Sequence, residues 1–152
     1  MAITAKHRAR LQLRADTRLD PTSALAIVKA ATGTVKGGGA SLLTSGIMNI
    51  GAQVHINGET ASRLQLSITS GKRLIRLCTF SAEVVSEGGR TQLRVGGLET
   101  YRTNQAHFFY VIPAGPKAIA GMDPYKRFLD AIRQVVQQQD PSAQVSVDTP
   151  EV

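Results

Sequence analysis

The segment from Asp123 to Asp140 constrains the fold more than any other. Tyr125, Phe128, Leu129, Ile132, Val135 and Val136 recur at spacings of three, one, three, three and one, which is one stripe of an α-helix. Lys126, Arg127, Asp130, Arg133 and Gln134 take the opposite side. Asp123 is the expected N-cap, Pro124 the first helical residue and Asp140-Pro141 the stop. A helix with a single apolar stripe needs a second layer to bury it.

Period-two alternation supplies that layer. In residues 5–16, "AKHRARLQLRAD", His7, Ala9, Leu11, Leu13 and Ala15 point one way, as in a half-buried strand. Lys6, Arg8, Arg10, Gln12, Arg14 and Asp16 point the other way, so four cations form a basic stripe. A short helix follows: Asp20 caps it, Pro21 opens it, Leu25 and Val28 share a face with Ala24, Ile27 and Ala31 beside them, and Gly33 ends it. From Asn49 the chain reads as successive strands. "NIGAQVHIN" turns at Asn57-Gly58, "SRLQLSITS" at Ser70-Gly71-Lys72 and "RLIRLCTFSAEVV" at "SEGGR". "TQLRVGGLETYRT" carries a bulge or bend at Gly96-Gly97, and "HFFYVI" is the last strand. Short connections imply an antiparallel meander. The tail from residue 141 to 152 has no helical pattern and is expected to be loose.

The chain length of 152 residues suits one domain, assigned to residues 1–140, and 42% hydrophobic content is enough for a core. No apolar run approaches the roughly 20 residues of a membrane-spanning helix. "MAITAKHRAR" lacks an apolar segment behind its basic residues, so the expected compartment is the cytoplasm. The net charge of +7, mostly arginine, attracts polyanions. Cys78 is the only cysteine, which excludes an intrachain disulfide and a thiolate metal cluster.

The order strand, short helix, antiparallel strands and closing helix resembles the START-like helix-grip superfamily, the polyketide-cyclase and pollen-allergen group. The match covers roughly residues 5–139, and "VIPAGPKAIAGMDPYKRFLDAI" is similar to the end of small bacterial members of uncharacterised role. The chain departs from that pattern where one helix, instead of a pair, leads into the glycine-rich stretch Gly37–Gly39. A bacterial pleckstrin-like barrel, which also ends in a helix, is the alternative fold. The resemblance implies an α+β fold: a curved antiparallel sheet of about six or seven strands wrapped around a long C-terminal helix, enclosing a cavity. Pro113 and Pro116 would then halt the last strand, and Gly115 and Gly121 would let residues 113–122 border the cavity mouth.

Three functional classes follow. First is a carrier or sensor holding an apolar small molecule or lipid between sheet and helix, lined by Leu66, Phe80, Tyr101, Phe108, Tyr110, Phe128 and Ile132. Second is a cyclase- or hydratase-like enzyme using the same cavity. Third is a basic module for nucleic acid or another anionic macromolecule, bound through Lys6, Arg8, Arg10 and Arg14. No catalytic residue is assigned, because GxSxG, HExxH and paired-carboxylate motifs do not occur. The three glycines lack the Walker spacing. His7, His55 and His107 are too scattered to ligate a metal, so no metal or cofactor is expected. Glu83, Glu87 and Glu99 read as solvated. With 5% aromatic residues and no Trp, a base-stacking platform is disfavoured, and nucleic-acid binding is expected to be weak.

Overall fold

Alternation in the strands and one stripe on each helix sort the apolar side chains into a single layer between sheet and helices. The computed structural model describes residues 8–33, 52–69, 75–108 and 112–149, with only the backbone described at 103–108 and 112–118. The elements are β1 (Gln12–Thr17), α1 (Pro21–Ala31), β2 (Gln53–Glu59), β3 (Arg63–Thr69), β4 (Arg76–Glu87) and β5 (Arg90–Gly96). They continue with β6 (Thr100–Tyr101), β7 (Thr103–Phe108), β8 (Ile112–Ile119), α2 (Met122–Gln139) and β9 (Gln144–Asp148). The fold is α+β. A curved, seven-stranded antiparallel sheet runs in the order β2-β3-β4-β5-β1-β9, with β6 paired to β4 off that path. Among the described residues no helix is long and apolar enough to cross a membrane.

Local chemistry explains most boundaries. Asp20 caps α1 by accepting from the Ser23 N–H at 3.2 Å and the Ser23 hydroxyl at 2.5 Å, and Pro21 opens the helix. Between β4 and β5, Glu87 pairs with Arg90 across Gly88 and Gly89, whose φ angles of 59° and 79° suit a two-residue hairpin. The core joins Leu13, Leu64, Leu66, Phe80, Leu93 and Val95 of the sheet to Leu25 and Val28 of α1 and Phe128, Leu129, Ile132 and Val136 of α2.

Several expectations are corrected. The first strand begins at Gln12, not residue 5, because Leu11 N–H bonds back to Arg8 C=O in a turn. Asn57-Gly58 is not the hairpin turn. β2 runs through it with a register shift between Ile56 and Gly58, and the chain turns after Thr60, whose N–H donates to Arg63 C=O at 2.8 Å. The strand after Tyr101 leaves the main sheet: among the described residues β7 and β8 pair only with each other, so the expected single meander is broken. Pro113 and Pro116 do not halt a strand but lie within β8, the position proline tolerates when its missing N–H falls on an edge. The N-cap of α2 is Gly121 in the left-handed region at φ 86°, which moves Asp123 into the first turn near the positive end of the helix. The tail is not loose over its whole length, since Gln144–Asp148 form β9 along β1. Gly37–Gly39 and the Ser70–Lys72 turn lie outside the described residues.

Two polar anchors fix α2. The Tyr125 hydroxyl accepts from the Gly97 N–H at 3.1 Å and donates to the Leu11 carbonyl. Gly96, at φ 103°, makes room for it, because a Cβ there would stand 1.9 Å from the Tyr125 oxygen. At the other end the Asp140 carboxylate, 7% exposed, accepts from the Thr17 hydroxyl at 2.7 Å and the Arg18 N–H at 2.8 Å. It also accepts from the Ser142 hydroxyl at 2.5 Å and the Ser142 N–H at 3.1 Å. The Ser142 hydroxyl, then the Arg18 N–H and the Thr17 hydroxyl, hold its carboxyl well below the usual carboxylate range.

Candidate functional site

Five of the seven residues expected to line a cavity lie in or against the packed layer. Leu66, Phe80, Phe128 and Ile132 are each 0% exposed and belong to one core cluster. Phe80 meets Tyr125 and Phe128 edge to face, with ring centroids 4.9 and 5.6 Å apart. Tyr101, on β6 opposite Cys78, is half-buried and packs against the cluster. Phe108 sits in β7 opposite Ile112, and Tyr110 lies outside the described residues.

The other face of the sheet carries different chemistry. Register places Ser146, Arg14, Arg94, Glu83 and Arg63 in one row across β9, β1, β5, β4 and β3. Alternation turns Arg14, Arg94 and Arg63 outward and leaves Leu13, Ala15, Leu93 and Val95 buried. Arg14 and Arg94 are therefore directly opposite, a like-charge pairing that destabilises a sheet unless something offsets it. Glu83 offsets Arg94 at 3.7 Å while also meeting Arg63 at 3.6 Å, and Glu99 meets Arg63 at 3.5 Å. Arg14 makes no ion pair among the described residues. Its Nε and Nη2 reach the Gln12 side-chain oxygen at 2.8 and 2.7 Å, with that amide turned to accept.

An open depression of about 550 Å³ lies over this row, bordered by Arg14, Arg94, Glu83, Gln92, Gln144 and Ser146. Val85, 56% exposed, adds an apolar patch to its floor. A second depression of about 320 Å³ adjoins it, sharing Arg94 and Glu83 and adding Arg10, Arg63 and Glu99. The stripe read from the sequence is thus redistributed. Arg14 and Arg10 line separate depressions, Arg8 is half-buried in the turn before β1, and Lys6 lies outside the described residues. Gln12, expected outside with them, is 6% exposed. Arg94, Arg63 and Glu83 were not among the expected partner-binding residues. The alternation in "TQLRVGG" and "SRLQLSITS" turns both arginines outward, but only cross-strand register brings them together.

Two other reactive groups, Cys78 and His55, are part of the packed sheet. Cys78 is 1% exposed and burial pushes its thiol up to about 12, which keeps it protonated at neutral pH. His55 Nε2 lies 2.8 Å from Thr69 Oγ1 across β2 and β3, a hydrogen bond within the sheet. His107 is on β7, and His7 lies outside the described residues. Among the described residues no three His, Cys, Asp or Glu side chains group as metal ligands would. No family model, curated protein or solved structure matches the chain.

Proposed function

We propose that the protein is a binding module that takes an anionic macromolecular partner on the outer face of its sheet. One observation carries the reading: Arg14 and Arg94 stand opposite each other at an open depression, and Glu83 is shared with Arg63. A like-charge pair in register weakens a sheet. An anion seated against Arg14 offsets that repulsion and gains charge-assisted hydrogen bonds. Ser146, Gln92 and Gln144 around the pair supply neutral hydrogen-bonding groups for orientation.

The test uses two polyanions, poly-L-glutamate and a single-stranded oligonucleotide, titrated against the whole chain at rising ionic strength. Binding should be weak and should fall with salt, as expected of exposed charges. Replacing both arginines, R14Q/R94Q, should weaken it about tenfold, the sum of two exposed pairs. Binding unchanged in that variant would sink the reading.

A helix-grip carrier of an apolar small molecule or lipid is the second reading. What supports it is the antiparallel sheet covered by α2 through Phe128, Leu129, Ile132 and Val136. It requires space where Phe80, Tyr125 and Phe128 pack ring against ring, so it ranks below the surface site. A fluorescent fatty acid bound by the wild type and lost in F128A would reverse that order.

A further inference from the structure

We infer that the outer face reads an extended acidic polypeptide segment whose negative charges come in two separated groups, one for Arg14 and one for Arg10. The inference deepens the surface-binding reading and rests on it. Arg63, Arg94, Glu83 and Glu99 form a group that is neutral as a whole, through contacts of 3.5 to 3.7 Å. Of these, Arg94 and Glu83 border both depressions, while Arg63 and Glu99 line the smaller one. Asp16 is likewise matched by Arg90 at 2.5 Å. What is left over is one arginine on each side: Arg14 in the larger depression and Arg10 in the smaller, neither in an ion pair among the described residues.

That pattern selects against a nucleic-acid strand. A nucleic-acid strand brings a phosphate at every nucleotide, and its middle phosphates would face the Glu83 and Glu99 carboxylates. Among the described residues no aromatic side chain lines either depression, so bases would find nothing there to stack on. A polypeptide can set neutral residues between its acids. An extended chain presents side chains to one face at every second residue, about 7 Å apart. Val85 offers an apolar contact to one of the intervening residues, and Gln92, Gln144 and Ser146 can bond its backbone.

Short fluorescein-labelled peptides of Gly, Ser and Asp test this by anisotropy. One carries two Asp separated by three neutral residues, a second carries two adjacent Asp, a third a single Asp, and a short single-stranded oligonucleotide completes the set. The spaced peptide should bind about threefold tighter than the adjacent one, the scale of a single exposed ion pair. R10Q and R14Q should each abolish that preference. In the wild type, nuclear magnetic resonance should show the backbone amides of Arg10 and Arg14 shifting together with the spaced peptide, a readout that does not depend on either variant folding. Equal affinity for the two peptides, or shifts confined to one end, would overturn the inference. An oligonucleotide that binds best and needs Arg14 would overturn it while leaving the surface-binding reading in place. No Arg14-dependent binding of any probe would overturn both.

Discussion

Alternate residues of β5 serve two different environments. Thr91, Leu93 and Val95 are buried against the helices, whereas Gln92 and Arg94 are exposed on the outer face. β1 repeats the division, with Leu13 and Ala15 inside and Arg14 outside. Inside, each side chain is held on all sides, so volume and shape decide what is tolerated. Outside, the groups meet water and one another through ion pairs of modest worth, so substitution there has little effect on folding. The comparison separates two kinds of residue on one strand: those whose loss unfolds the protein and those whose loss removes only a surface charge.

The largest effect is expected on the inner face. Phe128→Ala removes a ring packed against Phe80 and should destabilise by about 3–5 kcal/mol in denaturant titration, the range for large-to-small changes in a filled core. A loss of under about 1 kcal/mol would mean that the ring borders open space instead. Gly96→Ala comes next. It places a Cβ 1.9 Å from the Tyr125 oxygen at φ 103°, and the backbone strain alone should cost about 1–3 kcal/mol. Thermal melting that is unchanged in this variant would contradict the Tyr125 anchor. Asp140→Asn should have a smaller effect with a distinctive pH signature. The folded carboxyl lies below its unfolded value, so its contribution is fully present above about pH 4 and is lost as pH falls through the folded value. The wild-type melting temperature should therefore drop on acidification more steeply than that of D140N. Parallel acid limbs would show that these hydrogen bonds carry no linkage.

Much of the inner face was legible because its signals are local. The α2 stripe, the Asp20-Pro21 start of α1 and the Gly88-Gly89 turn each need only neighbours in the chain. The failures involve distant partners. β9 is five residues with half-exposed valines, too short a pattern to stand out until β1 pairs with it. Asn57-Gly58 has strong turn chemistry, yet pairing of Gly58 with Gln65 draws it into a bulged strand. Asp123 lost the cap position to Gly121, whose left-handed backbone packs against Leu77. The candidate site was legible only in part. Arg14 and Arg10 could be read as outward cations, but that the ion-paired Arg94 and Glu83 border both of their depressions depends on the register of β1, β5 and β4. Sequence alternation gives the face of each residue and not its cross-strand neighbour.

The smallest expected effect on stability belongs to Arg14, and it tests the central claim most directly. Arg14→Gln removes one member of a like-charge pair that lacks an acidic partner of its own among the described residues. Denaturant titration at low ionic strength should find it unchanged or stabilised by a few tenths of a kcal/mol. The same preparation, titrated with poly-L-glutamate, should bind about threefold more weakly than wild type. Unchanged binding together with a stability loss above about 1 kcal/mol would make Arg14 a structural residue, and would contradict an outer face devoted to an anionic partner.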